Sequence, residues 1–206
     1  MNKLESNFKN MFLVLFGTTL FSALALSITY NATKSAIEEV EEAKHRAAID
    51  EVIHGFDEVK EYVVKEASGH EVKIYDCLKE GESIGVVVES YSLHGFSGQI
   101  NVMVGFLPDG TIVKTVALAH TETPGLGDKI ECSKSDFPKQ FWGKKFNDLQ
   151  TGGKIAVTKD HGKIDAITAA TISSRAFCET VNRAWEVYQK RDTWEVYQHN
   201  NNGGHK

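Results

Sequence analysis

Residues 99–119, QINVMVGFLPDGTIVKTVALA, carry the strongest signal for the fold class. Apolar and β-branched residues dominate 99–106 and 111–119, and such residues favour β-strands. Between these segments, Pro108 restricts one backbone dihedral angle and Gly110 can adopt a positive one, so the PDG sequence predicts a turn. The stretch therefore predicts two neighbouring strands of an antiparallel sheet.

Shorter apolar runs on both sides of this pair extend the prediction to a mixed domain. Two further strands are predicted before it, at 71–77 and 83–90, and Gly81 separates them. After it, a short helix, a strand and a final helix are predicted at 134–141, 154–158 and 172–191. With these elements, the sequence predicts an α+β domain over residues 68–192.

The segment before this domain has a helical pattern that begins at Thr33. Apolar residues recur at three- and four-residue spacing along one stripe, which consists of Ile49, Val52, Ile53, Phe56, Val59 and Val63. The stripe predicts a helical connector over residues 31–67. Because Gly55 is a weak point, either one long helix or two shorter helices that meet at Gly55 satisfy the pattern.

Residues 11–30, MFLVLFGTTLFSALALSITY, contain no charged residue and match the length of a helix that crosses the hydrocarbon layer. The ALA sequence at 23–25 resembles a signal-peptide cleavage site, but the long apolar run favours an uncleaved anchor. Lys3 and Lys9 precede the run, and lysine favours the cytoplasmic side. We therefore expect a single-pass protein of the cytoplasmic (inner) membrane, with residues 1–10 in the cytoplasm and the main domain on the periplasmic side.

The C-terminal segment contains the pentapeptide WEVYQ twice, at 185–189 and 194–198. This spacing would place the two copies on opposite sides of one helix, so both cannot face the same core. We therefore expect the final helix to end near Asp192 and residues 193–206 to form a peripheral or disordered tail.

Composition argues against several classes of protein. The net charge of −5 over 206 residues argues against nucleic-acid binding, which needs a basic surface. The cysteines are widely spaced, at Cys77, Cys132 and Cys178, and form neither a metal-binding pair nor a complete disulfide framework. The histidines lack the spacing of a metal site, so no metal is expected.

Residues 165–177, DAITAATISSRAF, place small and hydroxyl-bearing residues just before the final helix. Either Ser173 or Ser174 as the helix cap would explain one hydroxyl group. A cap leaves Thr168 and Thr171 unexplained, whereas small residues at a helix N-terminus also suit a bound phosphate. Both interpretations stay open on the residues alone.

A second cluster, HTETPGLGDKI at 120–130, follows the strand that is predicted most strongly. It is either an ordinary loop that leaves the sheet or a loop whose glycines let the backbone approach a flat ring. In the second case, Leu126 would pack against that ring.

Together with GFSG at 95–98, these clusters resemble the FMN-binding domain of the G subunit of the Rnf electron-transport complex. That family is related to the C subunit of the sodium-pumping NADH:quinone reductase. The GFSG, HTETPGLGDKI and DAITAATISS sequences occur in the family's order behind one membrane helix, and the resemblance covers nearly the whole chain.

The resemblance implies that a flavin transferase attaches FMN, through its phosphate, to the last threonine of an Asp-x-x-Ser/Thr-Gly-Ala-Thr motif. That threonine is Thr171, and Asp165 is the implied recognition residue for the transferase. The loop after the hairpin would lie beside the isoalloxazine ring. The implied cofactor-binding residues are Glu122, Thr123, Gly125, Leu126, Gly127, Thr168, Ala169, Ala170 and Ser173.

Ala169 departs from the motif, which usually has glycine at this position. If the position requires a positive φ, alanine is strained there.

The resemblance implies a membrane-anchored electron carrier with covalent FMN in an ion-translocating ferredoxin:NAD oxidoreductase. Such a redox component of a translocase needs no catalytic acid, base or nucleophile of its own during turnover. The implied partners are the other Rnf subunits (A, B, C, D and E), the flavin transferase and the membrane. Two alternatives remain: an extracytoplasmic flavin carrier of another reductase or sensor, and an unflavinylated membrane-anchored assembly module.

Overall fold

The computed structural model describes residues 7–65 and 69–191, and the chain divides into two compact units, Met1–Lys44 and His45–Lys206. Helix α1 extends from Phe8 to Val52. Its segment Phe8–Lys34 is apolar and long enough to cross a membrane, judged by length and composition. The predicted apolar run is therefore helical throughout.

Six antiparallel strands form one sheet in the second unit, and each strand pairs with the next along the chain. They are β1 (Glu58–Lys65), β2 (Glu71–Lys79), β3 (Glu82–Ser92), β4 (Ile100–Phe106), β5 (Thr111–His120) and β6 (Lys144–Lys145). The four predicted strands correspond to β2–β5, and the α+β prediction is confirmed.

Two turns in this sheet follow directly from local sequence. Glu80 and Gly81 have φ values of 52° and 84°, and such a pair of positive values is typical of the tight turn that joins two antiparallel strands. The predicted PDG turn is also confirmed. There, Gly110 has a φ of 81° and its N–H donates a 2.9 Å hydrogen bond to the Leu107 carbonyl.

The sheet lies between two helical layers. Helix α3 (Thr171–Gln189) packs on one face, and the last turns of α1 pack on the other. Strand β3 shows the alternation that this requires, because Val86 and Val88 belong to the core under α3 and Val87 to the core under α1.

Two glycines allow the end of α1 to approach the sheet closely. A Cβ atom at Gly105 would overlap the side chain of Val52, and one at Gly85 would lie 2.6 Å from Ile53 Cδ1. The helix therefore packs against bare backbone of β3 and β4, which positions it on the sheet.

The prediction of helix as far as residue 67 is wrong, because α1 ends at Val52 and residues Glu58–Lys65 form β1. The helix has already ended when the chain reaches Gly55, whose φ of 82° lies outside the helical region. Val59 and Val63 misled the prediction because residues four apart lie on one face in a helix and in a strand alike. The alternative of a second helix after Gly55 is wrong for the same reason.

The predicted strand at 154–158 is also wrong. Isolated bridges at Lys154 and Val157 and a 3-10 helix at Thr158–Asp160 replace it. Ile155 and Val157 are buried, but the Asn182 side chain on α3 exchanges two 2.8 Å hydrogen bonds with the backbone of Ile155. An α3 side chain therefore satisfies backbone groups that a neighbouring strand would otherwise bind.

The helical predictions after the hairpin are confirmed in outline. The short helix predicted at 134–141 is a 3-10 helix, Phe137–Gln140, and the final helix is α3. The sequence did not predict β6 or the short helix α2, Phe146–Leu149. The first WEVYQ copy ends α3, whereas the second copy and the predicted tail lie outside the described residues.

Candidate functional site

The predicted clusters meet at one cavity of about 290 Å³. Its lining residues come from three loops or loop–helix junctions: Phe96, Glu122, Thr123, Leu126, Gly127, Ala169, Ala170, Thr171, Ile172 and Ser173. Strand register explains part of this convergence. Ser92 pairs with Ile100 and Ile100 pairs with His120, so the loops at 93–99 and after His120 leave the same end of the sheet.

Most, but not all, of the predicted site residues line the cavity. Three of them, Gly125, Asp165 and Thr168, are absent from its lining, and the last two side chains are exposed. A second cavity of about 430 Å³ lies between residues 154–160 and α3, and none of the predicted site residues lines it. The smaller cavity is therefore the candidate site.

Glu122 connects the parts of this site. Its buried carboxylate accepts a 2.6 Å hydrogen bond from the Ser173 hydroxyl and a 3.2 Å hydrogen bond from the Ser97 backbone N–H. Nearby, the Thr121 hydroxyl donates a 2.8 Å hydrogen bond to the Ser97 carbonyl. The carboxylate thus joins the loop before β4, the loop after β5 and the first turn of α3.

Two glycines provide the space for this carboxylate. A Cβ atom at Gly127 would overlap Glu122 Oε2 and would lie 2.7 Å from Ser173 Oγ. A Cβ atom at Gly95 would lie 2.7 Å from Glu122 Oε1. The glycines of the GFSG and ETPGLG sequences are therefore needed, in part, for packing around Glu122.

His120 positions the backbone next to Glu122. The Glu122 N–H donates a 3.2 Å hydrogen bond to His120 Nδ1, which must therefore be unprotonated. The proton of this neutral ring then lies on Nε2, which donates a 2.8 Å hydrogen bond to Glu131. Burial acts to raise the pKa of Glu131, but hydrogen bonds from Lys134 and His120 outweigh it and hold that pKa below its usual value.

The rim of the cavity is apolar and exposed. Phe96, Leu126 and Ile172 are 65%, 42% and 47% exposed, although their side chains are large and apolar. Grouped exposed apolar side chains around a concave surface are typical of a ligand or interaction site. Leu126, which the sequence analysis expects to contact a flat ring, is one of these rim residues.

The serines at the start of α3 have other roles than capping it. Ser173 donates to Glu122, whereas Ser174 Oγ accepts a 2.9 Å hydrogen bond from the Ile167 N–H and donates to the Ala170 carbonyl. Ala170 is the residue at the N-cap position, and no side chain caps the helix there. The interpretation of Ser173 or Ser174 as the cap is wrong, and the first N–H groups of α3 remain available beside Thr171.

Ala169 has a φ of 63°, which lies in the left-handed region. The φ is therefore positive at the position where the motif usually has glycine, and alanine is strained there. The left-handed residue turns the chain immediately before Ala170, the N-cap residue of α3, and Thr171 follows in the cavity lining.

Gln140 holds the start of the motif, a contact that the sequence did not predict. Its Nε2 donates a 3.0 Å hydrogen bond to the Asp165 carbonyl, and its Oε1 accepts a 2.8 Å hydrogen bond from the Asp165 N–H. Both contacts use the backbone of Asp165, so its exposed carboxylate stays accessible.

Thr171 has a basic neighbour that the sequence did not predict either. Lys159 Nζ donates a 3.0 Å hydrogen bond to Thr171 Oγ1 at the edge of the cavity. Nothing in the spacing of these residues indicates the contact, because it depends on how residues 157–164 fold back on themselves. Val157 and Ile164 form the bridge that brings Lys159 to this position.

The residues that line the candidate cavity include no cysteine and no histidine. Burial raises the pKa of Cys77 and of Cys178 to about 12, so both thiols stay protonated at neutral pH. Within residues 7–65 and 69–191, no group of three or more His, Cys, Asp or Glu side chains is arranged to hold a metal ion.

Comparison with known families identifies an FMN-binding domain over residues 95–186. This range begins at the GFSG sequence and includes every residue that lines the cavity.

The chain is also similar to curated proteins that are named as the G subunit of the ion-translocating oxidoreductase complex. It is 33% identical to the protein from Vibrio atlanticus over 87% of this chain and 89% of that protein. Identity to the protein from Cereibacter sphaeroides is 32% over 84% of this chain and 80% of that protein. The protein from Erwinia tasmaniensis is 42% identical over a shorter region, which covers 53% of this chain and 52% of that protein.

Proposed function

The chain belongs to the family of G subunits of ion-translocating oxidoreductase complexes, and we propose that it carries electrons through an FMN group attached covalently to Thr171. The observation that carries this proposal is the convergence of both motifs on one cavity with Thr171 in its lining. A flavin supplies one- or two-electron redox chemistry, whereas this chain binds and orients it.

The residues of the cavity fit the two chemically different parts of FMN. Phe96, Leu126 and Ile172 offer exposed apolar surface to an aromatic ring system. At the other side, the uncapped start of α3 offers N–H groups and a favourable dipole to a phosphate. Ala169 and Ala170, which have small side chains, leave room for that phosphate beside Thr171.

The remaining predicted residues have proposed roles around this arrangement. Glu122 and Ser173 hold the loop and the helix in their relative positions, and Thr123, Gly125 and Gly127 shape the loop. Asp165 and Thr168 are exposed and accessible to a flavin transferase. We assign Asp165 to recognition by that enzyme.

The proposed setting is the Rnf complex in the cytoplasmic membrane, with the other Rnf subunits (A, B, C, D and E) as partners. Phe8–Lys34 would form the single membrane anchor, and the domain from residue 45 onward would lie on the periplasmic side. Covalent attachment suits this location because a dissociated cofactor would be diluted and lost outside the cytoplasm. Electrons would pass between ferredoxin and NAD through the flavin of this chain and the redox groups of its partners.

Intact mass spectrometry of the full chain, purified from membranes of cells that contain the flavin transferase, tests this proposal. The mass should exceed the sequence mass by FMN less one water, and one proteolytic peptide should carry the whole difference. Thr171→Ala should abolish the addition because no oxygen remains to form the ester. Thr171→Ser should retain at least part of it.

Thr168→Ala is the matched comparison, since it removes a nearby hydroxyl but leaves the attachment oxygen. It should weaken recognition or phosphate contacts and still allow flavin attachment. Flavin retained on the Thr171→Ala chain would contradict the assignment. A wild-type chain without flavin under these conditions would favour the unflavinylated assembly module. A flavinylated chain that co-purifies with a different reductase or a sensor would favour the other alternative.

A further inference from the structure

We infer that Lys159 activates Thr171 for flavin attachment and then binds the phosphodiester anion that attachment creates. This inference rests on the proposed attachment of FMN to Thr171. Its basis is the 3.0 Å hydrogen bond between Lys159 Nζ and Thr171 Oγ1.

The hydrogen bond determines the direction of the Thr171 hydroxyl. A lysine ammonium group can only donate, so Thr171 Oγ1 must accept. The hydroxyl proton of Thr171 then points away from Lys159 and stays available to a base. A hydroxyl in this arrangement is ready to lose its proton, and the adjacent positive charge stabilises the oxygen as negative charge develops on it.

The fold positions Lys159 through its neighbours. Asp160 forms two 2.6 Å hydrogen bonds with Arg175 on α3, which attach the 3-10 helix Thr158–Asp160 to the helix that carries Thr171. Gly162 closes the turn, because its N–H donates a 3.0 Å hydrogen bond to Val157 and a Cβ atom there would overlap the backbone of Ala156.

The same contacts leave the charge of Lys159 available. The Asp160 carboxylate is engaged by Arg175, and its hydrogen bonds with Arg175 are the main reason that the pKa of Asp160 lies below its usual value, with a smaller contribution from the charge of Lys159. Across the part of the chain that the structure describes, no carboxylate forms an ion pair with Lys159 within 4.0 Å. The ammonium group of Lys159 therefore contacts a hydroxyl group, whereas a surface lysine commonly forms a salt bridge with a carboxylate.

Attachment of the flavin needs an activated donor. The donor must hold the flavin phosphate in an anhydride, as a flavin dinucleotide does, because loss of water from FMN and threonine is unfavourable in water. Thr171 Oγ1 forms a bond to the flavin-side phosphorus, the pyrophosphate P–O bond breaks, and AMP leaves with its electron pair. The hydroxyl proton passes to a base of the transferase and then to solvent.

Attachment thus replaces the neutral Thr171 hydroxyl group with a negatively charged phosphodiester. A phosphodiester carries one negative charge, and it forms next to the Lys159 ammonium group and the uncapped N-terminus of α3. Arginine keeps this charge but has a different shape, whereas glutamine keeps only the hydrogen-bonding ability.

The test is the rate at which purified transferase and FAD flavinylate the full chain, isolated in detergent from cells without the transferase. Intact mass measured over time gives kcat and KM for each chain as substrate. Lys159→Gln should lower kcat by about tenfold to a hundredfold, as expected for loss of a charged hydrogen bond, with a smaller change in KM. Lys159→Arg should recover part of the rate, and Lys159→Glu should be slower than Lys159→Gln.

Lys163→Gln is the matched control. Lys163 is an exposed lysine of the same segment, but its Nζ donates to the Asp148 carbonyl. The rate of this variant should stay within about twofold of the wild type, as is usual for a surface substitution. Equal melting temperatures of the variants would exclude loss of folding as the cause.

The outcomes separate this inference from the proposed function. Equal kcat for wild type and Lys159→Gln, or an effect on KM alone, would overturn the role of Lys159 while Thr171 remained the attachment site. A wild-type chain that accepts no flavin, or a Thr171→Ala chain that accepts it, would overturn the proposed function itself.

Discussion

The Ser173 hydroxyl donates a 2.6 Å hydrogen bond to the Glu122 carboxylate and thereby joins two residues that lie 51 positions apart in the sequence. Both side chains are buried, at 1% and 5% exposure. The contact connects the loop after β5 to the first turn of α3. It therefore holds together the two sides of the candidate flavin site.

Removal of this hydrogen bond should destabilise the domain and disturb the site. Ser173→Ala leaves a buried carboxylate oxygen without its donor, which should lower the free energy of unfolding by about 1–3 kcal/mol. Thermal unfolding and the flavin absorption spectrum measure the two effects. Ser133→Ala is the control, because Ser133 is an exposed serine that donates to Glu131. Equal stability of the two variants would contradict the importance of the contact.

The two glycines of the loop after β5 should respond differently to alanine. Gly127→Ala should disrupt the Glu122–Ser173 contact, because the new Cβ would overlap the carboxylate. Gly125→Ala meets open space, so only its φ of 77° opposes the substitution. That conformation costs alanine about 1–2 kcal/mol. Thermal unfolding should rank Gly127→Ala as the less stable variant, and the reverse order would refute the packing argument.

Glycine at position 169 should relieve local strain. Because Ala169 has a φ of 63°, Ala169→Gly should raise the free energy of unfolding by up to about 1 kcal/mol and leave flavin attachment equal or faster. Ala47→Gly is the control at an exposed position inside α1, where glycine should cost about 0.5–1 kcal/mol. Denaturant unfolding and the flavinylation rate test both. Equal effects of the two substitutions on stability would argue against strain at Ala169.

Glu89 should make stability depend on pH. Burial raises the pKa of this β3 carboxyl, although His45 and Lys73 oppose the shift. The folded chain therefore keeps the proton to higher pH than the unfolded chain. Consequently, the contribution of Glu89 to stability is greatest below the ordinary glutamate pKa of about 4.3 and falls as pH rises through the raised pKa.

Glu89→Gln removes this titration, so the melting temperature of the wild type relative to this variant should fall as pH rises above about 4. Glu82→Gln removes an exposed carboxyl at the start of the same strand and controls for the change in net charge. A difference between wild type and Glu89→Gln that is constant, or that increases with pH, would contradict the sign of the shift.

Topology can be tested with single introduced cysteines. Cys132 is partly exposed, so Cys132→Ser should be the background. In intact spheroplasts, a membrane-impermeant thiol reagent should label Asn201→Cys but not Asn2→Cys, because Lys3 and Lys9 favour the cytoplasmic side. Both positions should react after permeabilisation. Labelling of Asn2→Cys alone would reverse the orientation, and a mature chain without residues 1–25 would indicate a cleaved signal peptide.

Features that depend on neighbouring residues can be predicted from the amino-acid sequence alone. Strands β2–β5 and the turn at Gly110 follow from apolar runs and turn residues within about ten positions. The uncharged run within Phe8–Lys34 and the DAITAATISS motif are likewise complete in one segment. Such signals are local, because backbone preference and periodicity act over short distances.

Other features depend on contacts between segments that are distant in the sequence. Val59 and Val63 satisfy a helix and a strand equally, and only pairing with β2 makes Glu58–Lys65 a strand. The Ser173–Glu122, Gln140–Asp165 and Lys159–Thr171 contacts join residues that the fold brings together from distant positions. Their distances and burial depend on the packing of α3 against the sheet and on the folded loop at 157–164, because hydrogen bonds need a geometry that sequence spacing does not specify.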